Sequence, residues 1–367
     1  MFKIDRRLLA HFEWPTLLLM LLIVGCGLAS ILSATYTPER TLSPHFIRQA
    51  LWCLIGLAVM VMMMSFDYRR IDRYGYVAYG AILLLLALVP IIGISGGGSR
   101  RWIGVGPATI QPSEFMKVGL VVALARHLHR QVGEPRLALR ALVVPAILFA
   151  LPAALILKQP DLGTVIALGM GGFTVVLLAG LPARLLLIAA AIAVPAFPYL
   201  WQHLKPYQQQ RIVSFANPDA DPLGSGYHVI QSKIAIGSGG FSGKGYLRGT
   251  QNQLNFIPEQ HTDFIFSVYA EEWGFVGGVV LIGLYVALIV RCTVIASRSR
   301  DNLGALLVGG LTATIFWQAL INLAMTTGSL PVVGITLPFL SYGGSSMLTL
   351  IASVGLIMNV SMRRYTF

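Results

Sequence analysis

In the segment PEQHTD, Asp263 follows Glu259 and His261, and in QPSEFMK, Glu114 stands three residues before Lys117. A carboxylate at a water-accessible mouth can act as a general base, taking a proton from an attacking hydroxyl for a gain of about 10²–10⁴-fold. Glu114 and Lys117 fall on one face of a helix, where an acid and an amine pair. Asp263, Glu259 and His261 also form the minimum of a divalent-cation site, with Asp263 as ligand and magnesium or manganese as the ion, although one His and two acids make a weak ligand set.

Four of the 15 carboxylates, Glu259, Asp263, Glu271 and Glu272, crowd into residues 255–275. Thr262 or Asp263 is placed to cap a following helix, which explains one acid and not four. On a helix beginning near 263, Asp263, Ser267 and Glu271 share an arc of about 80°, and Glu272 turns away. Glu271 and Glu272 lie within an apolar run and are expected to serve packing or bury against cations. Asp263 stays at the mouth.

Membrane helices must position these residues. The chain has 367 residues, 56% hydrophobic and 11% charged, with mean hydropathy +0.72, whereas roughly a quarter of residues are charged in soluble domains. Apolar runs of about 20 residues match the roughly 30 Å hydrocarbon layer. They predict an all-α polytopic membrane protein with about ten transmembrane helices, at 14–36, 46–66, 74–94, 113–127, 141–157, 164–181, 184–200, 264–290, 303–327 and 342–362. The first run is too long for a cleavable signal and reads as a retained span. With the N-terminus cytoplasmic, ten spans return SMRRYTF to the same side, and the short segments placed there carry 16 of the 27 Lys and Arg residues. Residues 1–367 read as a single transmembrane domain in which 201–263 forms one long extracytoplasmic loop. Within that loop, GYHVIQSKIAIGSGGF (226–241) suits a short amphipathic or re-entrant helix.

Several functions are excluded. The net charge of +12 comes mostly from cations beside spans and not from a nucleic-acid surface. Cys26, Cys53 and Cys292 stand singly, without disulfide or metal spacing. GSGGFSGKG (237–245) departs from a nucleotide phosphate loop at Ser238 and Gly245. GISGGGSRRWIGVGP (93–107) follows a span and not a strand, and reads as a flexible extracellular loop carrying Arg100 and Arg101. The seven histidines adjoin no nucleophile elbow.

Three segments punctuate span ends. QPSEFMK starts a helix with Pro112 early and Ser113 as N-cap, and charges inside a membrane cost about 2.5–3.5 kcal/mol each, so Glu114 and Lys117 mark a site. KQPDLGT (158–164) reads as a Pro-Asp turn and helix cap bearing Lys158 and Asp161. TTGSLPVVGITLPFLSYGGSS (326–346) is irregular backbone at membrane depth, which must line a cavity or be buried in protein.

Together PEQHTDFIFSVYAEEWG (258–274), QPSEFMK (111–117), KQPDLGT and LPFLSYGGSS (337–346) resemble the motifs of the SEDS family (shape, elongation, division, sporulation), over nearly the whole chain. The DFIFSVYAEEWG form is most similar to the elongation branch. The resemblance implies a multi-pass protein of the bacterial cytoplasmic membrane, both termini cytoplasmic and the active site facing outward. It implies an inverting peptidoglycan glycosyltransferase that polymerises lipid II for cell elongation and rod shape, releasing undecaprenyl diphosphate. It also implies partners: a class B penicillin-binding protein, the elongation transpeptidase, and other elongation-complex proteins. By motif position the family's essential aspartate is Asp263, and its membrane acid and lysine are Glu114 and Lys117. For an anionic diphosphate, Arg100, Arg101, Lys158, Arg211, Lys233 and Arg248 are candidate contacts, with Glu259 and His261 as neighbours of Asp263. No nucleotide is expected. Two other classes fit the composition: a lipid II flippase, and a scaffold for the penicillin-binding protein.

Overall fold

The computed structural model describes residues 12–37, 42–96, 99–105, 108–132, 139–181, 201–202, 205–216, 225–254, 256–257 and 259–364. The chain opens with three apolar helices, α1 (Trp14–Ala34), α2 (Pro44–Ser65) and α3 (Ile71–Ile92). Proline occupies the first turn of α1 and α2, where its missing N–H leaves nothing unpaired, and Ser43 caps α2 by accepting from Phe46 N at 3.2 Å. Then come α4 (Pro112–Leu128), α5 (Val143–Lys158) and α6 (Leu162–Leu178). The expected long loop contains α7 (Pro206–Ala216), α8 (Ser225–Ser238) and the one-turn α9 (Thr250–Gln253). The chain closes with α10 (Ile265–Ser297), α11 (Asn302–Thr326) and α12 (Gly344–Met362).

Among the described residues, six helices are long and apolar enough to cross a membrane: α1, α2, α3 with the turn before it, α10, α11 and α12. The helices α5 and α6 are apolar but shorter. Each expected span has a described helix within a few residues of its bounds, except 264–290, whose helix α10 runs on to Ser297, and 184–200, which lies outside the described residues. The short helix expected at 226–241 is α8. The core sits between α4, α11 and α12, where Leu120, Leu124, Leu307, Leu311, Val354 and Ile357 are fully enclosed. By contrast, α10 leaves Val279, Val286 and Val290 more than half exposed, a surface suited to lipid.

Most described residues of the segment 93–107 form strands and not the expected flexible loop. Its strands β1 (Ile94–Gly96) and β2 (Ser99–Val105) join β3 (Ala108–Ile110) in an antiparallel sheet of order β1-β2-β3, with Ile94 opposite Trp102 and Ile103 opposite Ile110. The aromatic and β-branched residues at these positions favour strand pairing, and the surrounding glycines disguise it.

Within α10 the helix breaks at Gly274, φ 65° and ψ −161°. The glycine-rich segment that resembles a phosphate loop fills this break. Lys244 N and Gly245 N donate to Glu271 O and Glu272 O, both at 3.0 Å, and Phe275 N and Val276 N donate to Gly240 O and Phe241 O at 2.9 and 3.1 Å. The neighbouring segment thus satisfies backbone groups that hydrocarbon cannot. A Cβ on Gly274 would collide with Gly243 N, and one on Gly243 with Glu272 O; both glycines have positive φ. Gly243→Ala and Gly274→Ala are each expected to destabilise the fold by more than the roughly 0.5–3 kcal/mol of an ordinary point mutant. The check is the monodisperse fraction surviving a heat challenge, with Gly283→Ala, where an added methyl meets nothing within 4 Å, as control.

Candidate active site

Asp263 lies in the turn before α10. The N-cap of that helix is Phe264, and no side chain caps it; neither Thr262 nor Asp263 serves as the expected cap, and among the described residues the Asp263 carboxylate is left uncommitted. Buried Asn322 of α11 donates from Nδ2 to Asp263 O at 2.8 Å and to Ile335 O at 2.6 Å, tying the turn to the terminal loop. Ser341 Oγ donates to Thr262 O at 2.6 Å, and Tyr342 N to His261 O at 2.9 Å. Gly334, φ 76°, faces the carboxylate; even a methyl there would come within 3.5 Å of Asp263 Oδ2. The irregular loop at 326–346 therefore lines the site, as membrane-depth backbone must.

KQPDLGT supplies the next wall. Asp161 caps α6 by accepting from Thr164 N at 3.2 Å, the expected Pro-Asp turn and cap. Arg101 on β2 clasps this turn, donating to Gln159 O at 2.9 Å and Pro160 O at 2.6 Å, with Nη1 3.8 Å from Asp161 Oδ2. Gln111 joins it to the remaining motifs: its Nε2 donates to Asp161 Oδ2 at 3.3 Å, and its backbone N to Ser345 Oγ at 2.9 Å. The four motifs, far apart in sequence, close around one mouth.

Burial pushes the Asp263 carboxyl up to about 6; Glu259 and Asp161 add to the rise, and Arg211 and Arg101 oppose it. Burial also lowers His261, helped by His45 and opposed by Glu259. A carboxylate poised near neutrality, partly open to water, has the properties of a general base.

The expected Glu114–Lys117 pair is present. Lys117 Nζ lies 2.8 Å from Glu114 Oε2 and donates to Gln318 Oε1 at 3.0 Å, with Glu114 8% and Lys117 5% exposed. Gln318 precedes Asn322 by four residues on α11, so the pair sits about one 5.4 Å helical turn deeper than Asp263. Pro112 occupies the first turn of α4 as expected, but Ser113 is not its cap: Gln111 takes that position and donates its Nε2 to Ser113 Oγ at 3.1 Å.

The remaining candidates spread out. Glu259 is exposed and accepts from Thr262 Oγ1 at 3.1 Å, while Arg211 is half-buried and close enough for its charge to act on Asp263. Lys158 is exposed at the end of α5, Arg100 is exposed on β2, and Lys233 is exposed on α8 against Gly328. Arg248 is exposed beside Gly245, in the segment that covers Glu271 and not Asp263. The deeper acids divide as expected into packing roles. Fully buried Glu271 accepts from Lys244 Nζ at 2.6 Å and Gln251 N at 3.0 Å, and Glu272 accepts from Ser33 Oγ. Among the described residues, no group of three or more His, Cys, Asp or Glu is placed to hold a metal ion.

Gln318 and Asn322 went unnoticed in the sequence. Their signal was the run Thr314, Gln318, Asn322, Thr326, a polar residue every four positions along an apolar span.

The sequence profile of the family described as "Cell cycle protein", of FtsW, RodA and SpoVE, matches residues 13–366. Peptidoglycan glycosyltransferase MrdB of Escherichia coli (strain K12) is 40% identical over 351 residues, covering 95% of this chain and 94% of the relative. A solved chain described under "Structural coordination of polymerization and crosslinking by a peptidoglycan synthase complex" superposes with a TM-score of 0.84 at 38% identity, covering 97% of this chain and 99% of that one. The crystal structure of Thermus thermophilus rod shape determining protein RodA superposes with a TM-score of 0.72 at 33% identity, covering 97% and 98%. With a profile match that leaves only the chain ends aside, and four motifs meeting at one mouth, this multi-pass membrane protein belongs to the FtsW/RodA/SpoVE family, the SEDS proteins.

Proposed function

We propose that the chain is a peptidoglycan glycosyltransferase that polymerises lipid II for cell elongation, with Asp263 as general base. The observation that carries this reading is the uncommitted carboxylate of Asp263, raised to about 6 at the meeting point of the four motifs. The acceptor sugar's 4-hydroxyl attacks C1 of the donor as the C1–O bond to the lipid diphosphate breaks. The hydroxyl proton passes to Asp263, and the bonding electron pair leaves with undecaprenyl diphosphate, inverting C1. Arg101 and Arg211, whose charges reach Asp263, stabilise the charge that grows on the leaving group. Lys117 adds a fixed positive charge one turn deeper, held in place by Glu114 and Gln318. Asp263 with Glu259 nearby also suits magnesium or manganese, which take one or two carboxylates and fill their shell from water and substrate phosphates; such an ion would neutralise the departing diphosphate.

In this reading the Asp263 end of the bundle faces outward and both termini are cytoplasmic, in line with the 16 of 27 cations assigned to the opposite end. A class B penicillin-binding protein is the expected partner. Its support is the solved relative from a peptidoglycan synthase complex that coordinates polymerization and crosslinking.

Detergent-solubilised protein, given lipid II and the partner transpeptidase, is expected to make glycan strands that a gel resolves. Polymerisation needs no sealed compartment, whereas a flippase needs two leaflets and forms no bond. Correctly folded protein that yields no strands under these conditions would overturn the reading.

A further inference from the structure

We propose that His45, His261 and Tyr342 form an aromatic platform against which the acceptor pyranose packs while its 4-hydroxyl reaches Asp263. This subsite rests on the polymerase reading above. The ring centroids are 4.9 Å apart for His45 and His261, tilted by 44°, 5.1 Å for His45 and Tyr342, edge to face at 85°, and 5.6 Å for His261 and Tyr342, tilted by 57°, so the rings present separate faces and edges and not one plane. The rings come from three separate places: the first turn of α2, the turn before α10, and the terminal loop. All three are partly exposed, and His261 is two residues from Asp263.

The rings are not what holds these elements together. Fully buried Gln49, one turn below His45, donates to Ser341 O at 3.2 Å and accepts from Gly343 N at 3.1 Å. Tyr342 N bonds His261 O, and Ser341 Oγ bonds Thr262 O. The clamp is thus made by Gln49, Ser341 and backbone groups. Packing alone would be served better by leucine or phenylalanine, because imidazoles resist burial. His45 Nδ1 is shielded from solvent and has no hydrogen-bond partner among the described residues. Two imidazoles and a phenol offer apolar faces with polar edges. A pyranose has the matching shape, with C–H groups on its faces and hydroxyls around its rim, and such amphipathic rings are the usual lining of a site that must orient a polar ligand.

The platform also divides the mouth. Arg101 and Arg211 supply the positive charge that suits the donor's diphosphate. The rings, carried by α2, the turn before α10 and the terminal loop, are left for the neutral sugar.

The test uses full-length Asp263→Asn protein in detergent and the soluble disaccharide–peptide portion of lipid II, without lipid or diphosphate, followed by saturation-transfer NMR. Transfer to the sugar ring protons is expected. It should fall about 2- to 10-fold, the range of aromatic stacking, in His45→Leu and Tyr342→Leu. It should persist in His45→Phe and Tyr342→Phe, all at matched melting temperature. If the leucine variants fold poorly, His45→Gln, which keeps a polar edge and removes the face, replaces them with the same expected loss. Transfer confined to the peptide, no transfer at all in the parent, or transfer unchanged by removing a ring would each overturn the platform. The polymerase reading fails by a separate measurement, strand synthesis by the parent protein, so the two failures are distinguishable.

Discussion

Asp263→Asn is expected to abolish strand synthesis and, at the same time, to make the folded protein more heat-resistant near neutral pH. The first effect follows from removing the proton acceptor: general-base catalysis typically contributes about 10²–10⁴-fold, and asparagine preserves the volume of the side chain while accepting no proton. The second follows from the raised carboxyl. Asp263 moves from its ordinary value of 3.8 to about 6 in the fold, so between those values the folded state binds more protons than the unfolded one. Its contribution to stability is therefore full below pH 4 and lost as pH rises through 6. At about 1.4 kcal/mol per unit, the ionised group costs the fold on the order of 2–3 kcal/mol before its partial exposure is discounted. Asparagine carries no such charge. The parent's rate should rise with pH around a midpoint near 6, and the residual rate of the variant should lack that limb. Melting curves of both proteins at pH 5 and pH 7.5 supply the second reading: the gap should open only at the higher pH. A variant that polymerises lipid II at the parent rate would remove Asp263 from the chemistry.

This opposition of activity and stability explains why the site is built as it is. A base useful at neutral pH must be raised from the ordinary carboxylate range, and burial beside Glu259 and Asp161 raises it at the expense of the fold. The bonds that hold the turn in place, from Asn322, Ser341 and Tyr342, all go to backbone atoms of residues 261–263 and none to the carboxylate. The scaffold fixes the position of Asp263 and leaves its oxygens to the substrate.

Sequence reading reached some of this and missed the rest for physical reasons. Helix bounds were legible because hydrocarbon thickness sets the length of an apolar run locally; α1, α4 and α11 each lie within two residues of expectation. The Glu114–Lys117 pair was legible because an i,i+3 spacing dictates its geometry once the helix exists. Arg101 was legible as a cation but not as a clasp on the Gln159–Pro160 turn, since nothing local to β2 records the approach of α5. The filled break at Gly274 was least legible. GSGGFSGKG looks like a phosphate loop because both uses need backbone N–H groups brought close to an acceptor, and only the fold shows that the acceptors are Glu271 O and Glu272 O.

Lys117→Ala should be more damaging to the fold than replacing both members of its pair. The alanine variant leaves the Glu114 carboxylate buried in the bundle without its cation, and breaking a buried pair in this way costs about 3–5 kcal/mol. Replacing both charges, as Glu114→Gln with Lys117→Met, removes the unpaired charge and keeps the volume, and such paired replacements are often neutral or even stabilising. The double variant should therefore recover most of the melting temperature that Lys117→Ala loses. Activity should not recover with it. If Lys117 supplies fixed positive charge below Asp263, both variants fall at least about 10²-fold in strand synthesis, the loss typical of removing one electrostatic contact to a developing negative charge. A double variant that folds well and polymerises at the parent rate would reduce the pair to a strut between α4 and α11. The comparison separates the two roles because the double variant keeps Gln318 and the side-chain volume, so packing between those helices changes little while the charge disappears.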